Sequence, residues 1–218
     1  MLLLRPPGVY RPQDDTDLLV EALSGLTLRS GDRVLDVGTG TGALAVAAVR
    51  SGATDVTAVD VSLRALAATW LNARLHRLPV RVRRADVTER PPHGRFDLVL
   101  ANPPYVPCPG KGRVSRRWDA GPDGRAVIDP LCVAVPRLLS ERGSLLLVQS
   151  SLSDVDRTLA ALAEAGLETS IVLRRPVPFG PVLRKRARYL EQRGLIPAGQ
   201  REEELVVIRA DRTDRTDP

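Results

Sequence analysis

Short apolar runs alternate along this chain with Ala- and Leu-rich helical stretches, and no other feature of the sequence restricts its fold as strongly. The runs are too short for helices and have the length of strands buried inside a sheet. Because helical stretches separate them, consecutive strands need crossover connections, which are typical of parallel pairing. The alternation therefore predicts an α/β fold with a mainly parallel, doubly wound sheet.

The predicted elements follow this alternation, with two exceptions. Strands are expected at residues 33–37, 55–59, 80–84, 96–101, 144–148, 168–173 and 205–208, and helices at residues 15–26, 42–50, 63–75, 126–139 and 154–165. Residues 106–125 are rich in Gly, Pro and Arg, and they are predicted to form a long functional loop. Residues 176–203 are predicted to be a Pro-rich, basic insertion before the last strand.

Length and composition predict one domain at residues 1–210, which includes the insertion, and a disordered tail at residues 211–218. No apolar stretch has the length of a membrane span, and the N-terminus lacks the pattern of a signal peptide. A cytoplasmic protein without a membrane partner is therefore expected. Cys108 and Cys132 have no zinc-ligand spacing and are interpreted as reduced thiols, and no metal site is predicted.

The basic balance of the chain is weak support for a nucleic-acid partner. The formal net charge is +6, but the positive residues are almost all arginines, interspersed with Asp and Glu. Such mixing is typical of a solvated surface. The densest basic run lies at residues 184–188. An exposed helix face is its default interpretation, and a docking surface for RNA or an acidic protein is the alternative.

Asn102-Pro103-Pro104-Tyr105 directly follows the fourth apolar run and is the strongest candidate for a reaction centre. The two prolines end the strand because they cannot donate to its hydrogen-bond ladder. Asn102 is therefore expected at the carboxyl edge of the sheet, where ligands bind in open α/β folds. Taken alone, the tetrapeptide more often marks a plain strand-ending turn, so its interpretation depends on the rest of the chain.

A glycine-rich turn at residues 36–42 ends the first strand and opens a helix, so backbone can pass close to a ligand. Its Gly38-x-Gly40-x-x-Ala43 spacing also satisfies the dinucleotide-binding fingerprint, with Asp60 about 20 residues further on. Asp36 favours another ligand, because a carboxylate suits the ammonium and sulfonium groups of S-adenosylmethionine better than a pyrophosphate. Tight strand-to-helix packing is the purely structural alternative for the glycines.

Two further carboxylates follow the second and third strands. Asp60 ends the second strand, where it could accept hydrogen bonds from both ribose hydroxyls or cap the next helix. Asp86 follows the third strand, where it could bind an adenine amine while Val87 lies near the ring. A lone Asp in a strand-end turn is also common, so Asp86 by itself is the weaker signal.

Taken together, these residues resemble a known family. The residues at 36–42, 60, 86 and 102–105 resemble class I S-adenosylmethionine-dependent methyltransferases. The segments at 9–16 and 118–129 are similar to the short eukaryotic and archaeal branch of the HemK-type N5-glutamine methyltransferases, which lacks the helical N-terminal domain of the long bacterial enzymes. The resemblance implies a Rossmann-like, seven-stranded sheet, mostly parallel, with one antiparallel strand near the C-terminus.

The resemblance also implies a cofactor and a set of site residues. The cofactor is S-adenosyl-L-methionine, the product is S-adenosyl-L-homocysteine, and no metal takes part. The implied cofactor-binding residues are Thr16, Asp36, Gly38, Gly40, Gly42, Asp60, Asp86, Val87 and Asn102. The implied catalytic residues are Asn102, Pro103, Pro104 and Tyr105. Thr16 is expected to help close the cofactor pocket.

In the implied mechanism, the side-chain oxygen of Asn102 and the backbone carbonyl of Pro103 accept hydrogen bonds from the two N–H groups of a planar amide. Both acceptors stabilise the positive charge that grows on the nitrogen as it attacks the methyl group. Tyr105 would pack on the flat acceptor and exclude water, or it would serve ordinary packing. Trp118 and Arg125 either position the loop or contact the substrate. The sequence contains no obvious general base.

The leading hypothesis for the acceptor is a protein glutamine amide, with the Gly-Gly-Gln loop of a peptide-chain release factor as the implied substrate. A nucleic-acid methyltransferase acting on an exocyclic amine of adenine or guanine is the second hypothesis, because the basic insertion could hold phosphate. A catalytically idle cofactor-binding partner and a small-molecule methyltransferase are further alternatives. Several members of the branch depend on a small zinc-binding activator subunit. The resemblance therefore leaves open whether this chain also binds such a subunit.

Overall fold

The sheet contains all seven strands that the sequence predicts. In the computed structural model, which describes residues 3–109 and 120–212, the strands are β1 (Arg33–Val37), β2 (Asp55–Asp60), β3 (Val80–Arg84), β4 (Phe96–Ala101), β5 (Leu139–Ser150), β6 (Glu168–Pro178) and β7 (Glu202–Asp211). The helices are α1 (Asp14–Ser24), α2 (Ala43–Arg50), α3 (Leu63–Leu75), α4 (Ile128–Leu138), α5 (Val155–Glu164) and α6 (Pro181–Gln192). A short 3-10 turn at Ser151–Ser153 lies between β5 and α5.

The strand order is β3-β2-β1-β4-β5-β7-β6. β1 pairs in parallel with β2 and β4, and β3 and β5 extend the parallel set on either side. β7 lies antiparallel between β5 and β6. This topology confirms the Rossmann-like, doubly wound sheet with one antiparallel strand near the C-terminus. The strand order reverses between β1 and β4, which puts a ligand crevice at the carboxyl ends of these two strands.

Alternating side chains along β4 build a core on each face of the sheet. Leu98 and Leu100 pack on the face covered by α1 and α2, whereas Val99 and Ala101 pack on the opposite face with α4 and α5. All four side chains are at most 2% exposed. Because the alternation has a period of two, the next residue, Asn102, is directed toward the face that carries α1.

Residues 176–203, predicted to be an insertion, are an integral part of the fold. β6 and β7 extend into the two ends of this range, and α6 fills most of the connection between them. Pro181 begins α6, and Leu183, Ala187 and Leu190 bury one side of it at helical spacing. The sequence predicted shorter strands because Arg, Pro and Glu residues at their ends are typical of loops.

The C-terminal boundary also differs from the prediction. Asp211, which belongs to the predicted tail, is the last residue of β7, and its carboxylate accepts a hydrogen bond from the Ser144 hydroxyl. The rest of the predicted tail, residues 213–218, lies outside the described residues, as do residues 110–119 of the predicted long loop.

Three further observations concern membranes, thiols and metals. Within residues 3–109 and 120–212, every helix is too short or too polar to cross a membrane. Cys108 and Cys132 are free and buried, and burial raises the pKa of the Cys132 thiol to about 11, so that thiol stays protonated at neutral pH. The described part of the chain holds no group of three or more His, Cys, Asp or Glu side chains arranged to bind a metal ion.

Candidate functional site

Polar residues from four strands meet at one edge of the sheet. Asp36 lies near the end of β1, Asp60 ends β2 and Asn102 follows β4, and these strands run in the same direction. β7 runs the opposite way, so its first residues, including Glu203, reach the same edge. The sequence predicted the first three residues at this edge. Glu203 is brought there only by the antiparallel pairing of β7.

The glycine-rich turn leaves open space beside its backbone. Gly38 and Gly40 have φ values of +68° and +57°, and a Cβ built at either would meet no atom closer than 3.8 Å. Gly42 differs, because a Cβ there would lie 2.9 Å from Thr69 Cγ2 in α3. The backbone is therefore open to approach at the first two glycines, whereas Gly42 permits close packing of the turn against α3.

Asp36 is completely buried, and one of its two oxygens has no partner. Oδ2 accepts hydrogen bonds from the Thr39 hydroxyl at 2.6 Å and the Ala45 amide at 3.0 Å. Nothing among the described residues donates to Oδ1. Burial raises the pKa of Asp36 to about 7, although the two hydrogen bonds oppose that rise. A buried carboxylate oxygen without a donor is costly, so this atom is expected to receive one from a ligand.

Asp60 joins the glycine-rich turn to the start of α3. Its Oδ2 accepts a hydrogen bond from the Gly40 amide at 3.1 Å, and its Oδ1 accepts one from the Ser62 amide at 2.8 Å. Ser62 itself caps α3 through its hydroxyl. Burial raises the pKa of Asp60, and the backbone hydrogen bonds lower it. Each carboxylate oxygen has a second lone pair, so Asp60 can still accept a ligand hydroxyl.

A cleft of about 470 Å³ lies beside the end of β3, lined by Val61, Arg84, Ala85, Asp86, Glu89 and Arg90. Asp86 Oδ1 accepts hydrogen bonds from the Thr88 amide at 3.0 Å and hydroxyl at 2.6 Å, which orders the turn. The Val87 side chain is only 6% exposed and packs in the core on the α4 and α5 face. Val61 and Ala85 are the apolar residues of this lining, and contact between Val87 and an adenine ring stays a prediction.

Asn102 is held from α1. Its Nδ2 donates to Thr16 Oγ1 at 3.2 Å, and the Thr16 hydroxyl donates to Asp15 Oδ1 at 3.1 Å. Thr16 and Asp15 lie in the first turn of α1 and are 5% and 3% exposed. Because its nitrogen bonds to Thr16, the side-chain oxygen of Asn102 is available to accept hydrogen bonds from a ligand.

Asp15 also fixes two tyrosines. Its Oδ2 accepts hydrogen bonds from the Tyr105 hydroxyl at 3.0 Å and the Tyr10 hydroxyl at 2.7 Å. Burial raises the pKa of both tyrosines, and the negative charge of Asp15 raises it further. Both phenols therefore stay protonated. Tyr105 also packs against all three hydrophobic clusters of the protein, which fixes the position of its ring.

Gly124 and Arg125 hold the segment that follows the Asn-Pro-Pro-Tyr motif. A Cβ at Gly124, whose φ is +79°, would lie 2.6 Å from Ser153 Oγ and would overlap the Tyr105 carbonyl. The Ser153 hydroxyl donates to that carbonyl at 2.6 Å. Arg125 is 2% exposed and donates to the Thr158 hydroxyl at 3.0 Å. Arg125 is therefore a positioning residue, which was one of the two roles that the sequence allowed it.

α6 anchors the same segment from another side. Arg186 donates to the Pro107 carbonyl at 3.1 Å, and the Tyr189 hydroxyl donates to the Cys108 carbonyl at 3.2 Å. A small hydrophobic cluster also joins α6 to this segment. The range predicted as a basic insertion thus supports the backbone that follows Tyr105, and it holds the basic run at residues 184–188 close to the site.

Asp15 and Glu203 are site residues that were not predicted from the sequence. Asp15 was part of the segment that carries the family resemblance, and a buried acid in the first turn of α1 was its only other signal. Leu205 and Val207, two and four residues after Glu203, are buried apolar residues. Because strand residues alternate between faces, this spacing was the signal in the sequence that Glu203 faces the core. Trp118 and Asp119, the first two residues of the segment at 118–129, lie outside the described residues.

Comparisons with known proteins agree with this geometry. The Methyltransferase small domain family matches residues 3–168. The Putative protein N5-glutamine methyltransferase MJ0928 of Methanocaldococcus jannaschii is 32% identical over 177 residues, which cover 79% of this chain and 88% of that relative. Methyltransferase HEMK2 of Mus musculus is 30% identical over 178 residues, which cover 77% of this chain and 83% of that protein.

The fold is also similar to that of a solved complex. The E. cuniculi Mtq2-Trm112 complex, responsible for the methylation of the translation termination factor eRF1, contains a chain with a TM-score of 0.62 and 25% sequence identity. The similarity covers 94% of this chain and 99% of that one. The family match, the relatives and the strand order lead to one assignment. The chain belongs to the Methyltransferase small domain family, as a class I S-adenosylmethionine-dependent N-methyltransferase of the short HemK-type branch.

Proposed function

We propose that this enzyme methylates the side-chain amide nitrogen of a protein glutamine. The hydrogen bond from Asn102 Nδ2 to Thr16 Oγ1 is the observation that carries the proposal. It joins the Asn-Pro-Pro-Tyr motif to the N-terminal segment that resembles the HemK-type branch. It also leaves the Asn102 oxygen to accept a hydrogen bond from an N–H group of the substrate amide. The name of the M. jannaschii relative and the eRF1-methylating complex support glutamine as the acceptor.

The cofactor side of the site consists of Asp36, the glycine-rich turn, Asp60 and the cleft beside Asp86. These residues fit S-adenosylmethionine. The unpartnered Oδ1 of Asp36 suits a positively charged ammonium group, and the open space beside Gly38 and Gly40 suits a ligand that passes close to backbone. In this proposal Asp60 accepts the ribose hydroxyls, and the cleft of about 470 Å³ beside Asp86 takes the adenine ring. When bound, the cofactor supplies a methyl group on a positively charged sulfur.

The acceptor side of the site consists of the Asn-Pro-Pro-Tyr motif and the residues of α1 that contact it. It has to compensate for the weak nucleophilicity of an amide nitrogen. An amide nitrogen reacts slowly because its lone pair is delocalised, so orientation has to supply much of the rate. In our proposal, the Asn102 oxygen and the Pro103 carbonyl accept hydrogen bonds from the two N–H groups of the amide. These hydrogen bonds stabilise the positive charge that develops on the nitrogen. Tyr105 contributes its ring as a wall, because its hydroxyl is committed to Asp15.

The test is methyl transfer to a purified release factor that contains a Gly-Gly-Gln loop. The protein is incubated with methyl-labelled S-adenosylmethionine and the release factor, and the loop peptide is analysed by mass spectrometry. We expect one added methyl group on the glutamine, and none when the Asn102→Ala variant is used. Label in RNA or DNA without label in the glutamine would contradict the proposal.

A nucleic-acid base is the second candidate acceptor, and one observation favours it. Arg184, Lys185 and Arg188 are exposed on α6, next to the segment that follows Tyr105. If they bind phosphate, binding of the acceptor will weaken steeply as the salt concentration rises, whereas docking of a neutral protein loop will change little. Comparing the methylation rate of each acceptor at two salt concentrations separates the two candidates.

We also propose that a small activator subunit covers α3. The support is the Mtq2-Trm112 complex, together with two large apolar side chains seven residues apart on α3, Leu63 and Trp70, that are 65% and 53% exposed. Exposed apolar side chains on one face of a helix are typical of a protein interface. Co-expression with an activator of this kind should raise solubility and activity, and Trp70→Glu should abolish the gain. Full activity of the isolated chain, unchanged by the activator, would contradict the proposal.

A further inference from the structure

Glu203 is a buried acid on the acceptor side of the site. In β7 it lies two and four residues before Leu205 and Val207, which pack on the face of the sheet that carries α1. Because strand residues alternate, Glu203 lies on that same face, at the edge of the sheet where Asn102 follows β4. It is only 8% exposed.

One oxygen of this buried carboxylate is free. Among the described residues, nothing donates a hydrogen bond to Glu203 Oε2. The neighbouring Glu204 shows the usual alternative, because it forms an ion pair with Arg174 and is 38% exposed. Leaving a buried carboxylate oxygen unsatisfied costs stability, so such an atom in an enzyme site is a candidate for contact with a ligand.

The groups around Glu203 connect it to Asn102. The charges of Asp14 and Asp15 act on Glu203, and the charge of Glu203 in turn raises the pKa of Tyr10 and Tyr105. Asp15 holds both tyrosine hydroxyls, and its neighbour Thr16 holds Asn102. Glu203 therefore interacts electrostatically with the side chains that position the Asn-Pro-Pro-Tyr motif.

We propose that Glu203 takes up the proton that the acceptor nitrogen loses during methyl transfer, an inference that rests on the proposed function. The nitrogen lone pair forms the new bond to the methyl carbon, and the electrons of the broken carbon–sulfur bond stay on sulfur. One N–H proton then leaves for Glu203 Oε2, directly or through one water. The carboxylate becomes a carboxylic acid, the sulfonium becomes a neutral thioether, and charge is conserved.

The basicity of Glu203 suits this step. Burial raises its pKa to about 7; a hydrogen bond from the Ser150 side chain lowers it, and the charges of Asp15 and Asp14 raise it. The other titratable groups that face it are the phenols of Tyr10 and Tyr105, which stay protonated. An amide oxygen such as that of Asn102 is a far weaker base than a carboxylate, so Asn102 can orient the proton but cannot keep it. A base with a pKa near the working pH is well matched to proton transfer.

The test compares Glu203→Gln with Glu204→Gln, its neighbour on the other face of the strand. Single-turnover rates are measured from pH 5.5 to 9 with saturating cofactor and acceptor, so that changes in binding do not affect the rate. For the unmodified enzyme we expect the rate to rise with pH and to level off above about 7, because protonated Glu203 cannot accept a proton. Glu203→Gln should lower the plateau rate by about 10²-fold or more and remove the rise, while Glu204→Gln should keep both.

A second measurement needs no methyl acceptor. The folded-state pKa of Glu203, about 7, exceeds its ordinary value of 4.5, so the folded protein holds a proton that the unfolded chain releases between these pH values. Stability is therefore lost as the pH rises through this window, and Glu203→Gln should be more stable than the unmodified protein at pH 8 and equally stable below pH 4.5. Thermal unfolding at both pH values, with cofactor binding as a check of folding, measures the difference.

The outcomes separate this inference from the proposed function. If the enzyme methylates another acceptor but not glutamine, the proposed function fails, and the rate comparison is repeated with that acceptor. If Glu203→Gln keeps the plateau rate and the pH dependence of the unmodified enzyme, the inference is overturned whichever acceptor is used. Equal thermal stability of the two proteins at pH 8 would also overturn it, because Glu203 would then lack the raised pKa that the step requires.

Discussion

The cofactor side and the acceptor side of the site are built in different ways. On the cofactor side, Asp36 bonds to a residue 3 positions away and Asp60 to one 20 positions away. On the acceptor side, Asn102 bonds to α1 across 86 positions and Tyr105 across 90. Local contacts survive small shifts of the elements, whereas the acceptor side depends on how α1 and β7 dock on the sheet. Substitutions should therefore alter cofactor affinity on one side and turnover on the other.

The sharpest separation of the two sides is expected for Asn102→Ala. The substitution removes the Asn102 oxygen, which accepts a hydrogen bond from the substrate amide that strengthens in the transition state. Its loss should lower the single-turnover rate by about 10²- to 10³-fold. Cofactor affinity, measured by calorimetry, should change little, because Asp36, Asp60 and the glycine-rich turn are untouched. An equal loss of cofactor affinity and rate would mean that Asn102 belongs mainly to the cofactor side.

The long-range dependence of the acceptor side is tested by Gly124→Ala. The new Cβ would overlap the Tyr105 carbonyl in a backbone conformation that disfavours side chains, so the free energy of unfolding should fall by about 3 kcal/mol. Gly199→Ala is the matched control: its φ is +82° but the space around it is open, so a loss of about 1 kcal/mol is expected. Denaturant unfolding measures both, and equal losses would show that strain alone explains Gly124.

Asp36→Asn tests the cofactor side. Removing the negative charge should weaken cofactor binding by about tenfold, or about 1.4 kcal/mol, with exposed Asp17→Asn as the control. Since the pKa of Asp36 rises from 3.8 to about 7 on folding, its ionised form is complete only above pH 7. Cofactor affinity should therefore increase as the pH rises through 7. Calorimetry across that range measures this, and an unchanged pH dependence in Asp36→Asn would contradict the assignment.

The smallest effect is expected from reversing the charges of Arg184, Lys185 and Arg188 together to Glu. These side chains are exposed and lie outside the contacts that hold the motif, so methylation of a protein glutamine should change less than about twofold. A loss of activity that deepens with this variant and with added salt would instead favour a nucleic-acid acceptor. Initial rates at two salt concentrations decide between these outcomes.

Much of the cofactor side was predictable because strand ends and tight turns follow local rules. Asp36, Asp60 and Asp86 all lie where the sequence predicted, since each is within two residues of the end of a predicted strand. The Val87 side chain packs in the core, and its contact with an adenine ring stays a prediction. The local pattern placed the ends of β1 and β4, whereas β6 and β7 run several residues beyond the predicted ranges.

By itself, the sequence determined the sheet, the position of the glycine-rich turn and the presentation of Asn102 at a strand end. These depend on apolar periodicity and on the conformational limits of Gly and Pro, which act over a few residues. Only the tertiary structure decided that Asp15 holds Tyr105 and Thr16 holds Asn102, that α6 supports the backbone beyond the motif, and that Glu203 lies at the same edge of the sheet as Asn102. Those contacts join segments far apart in the chain, and their formation depends on the antiparallel placement of β7 and the docking of α1, which no local pattern encodes.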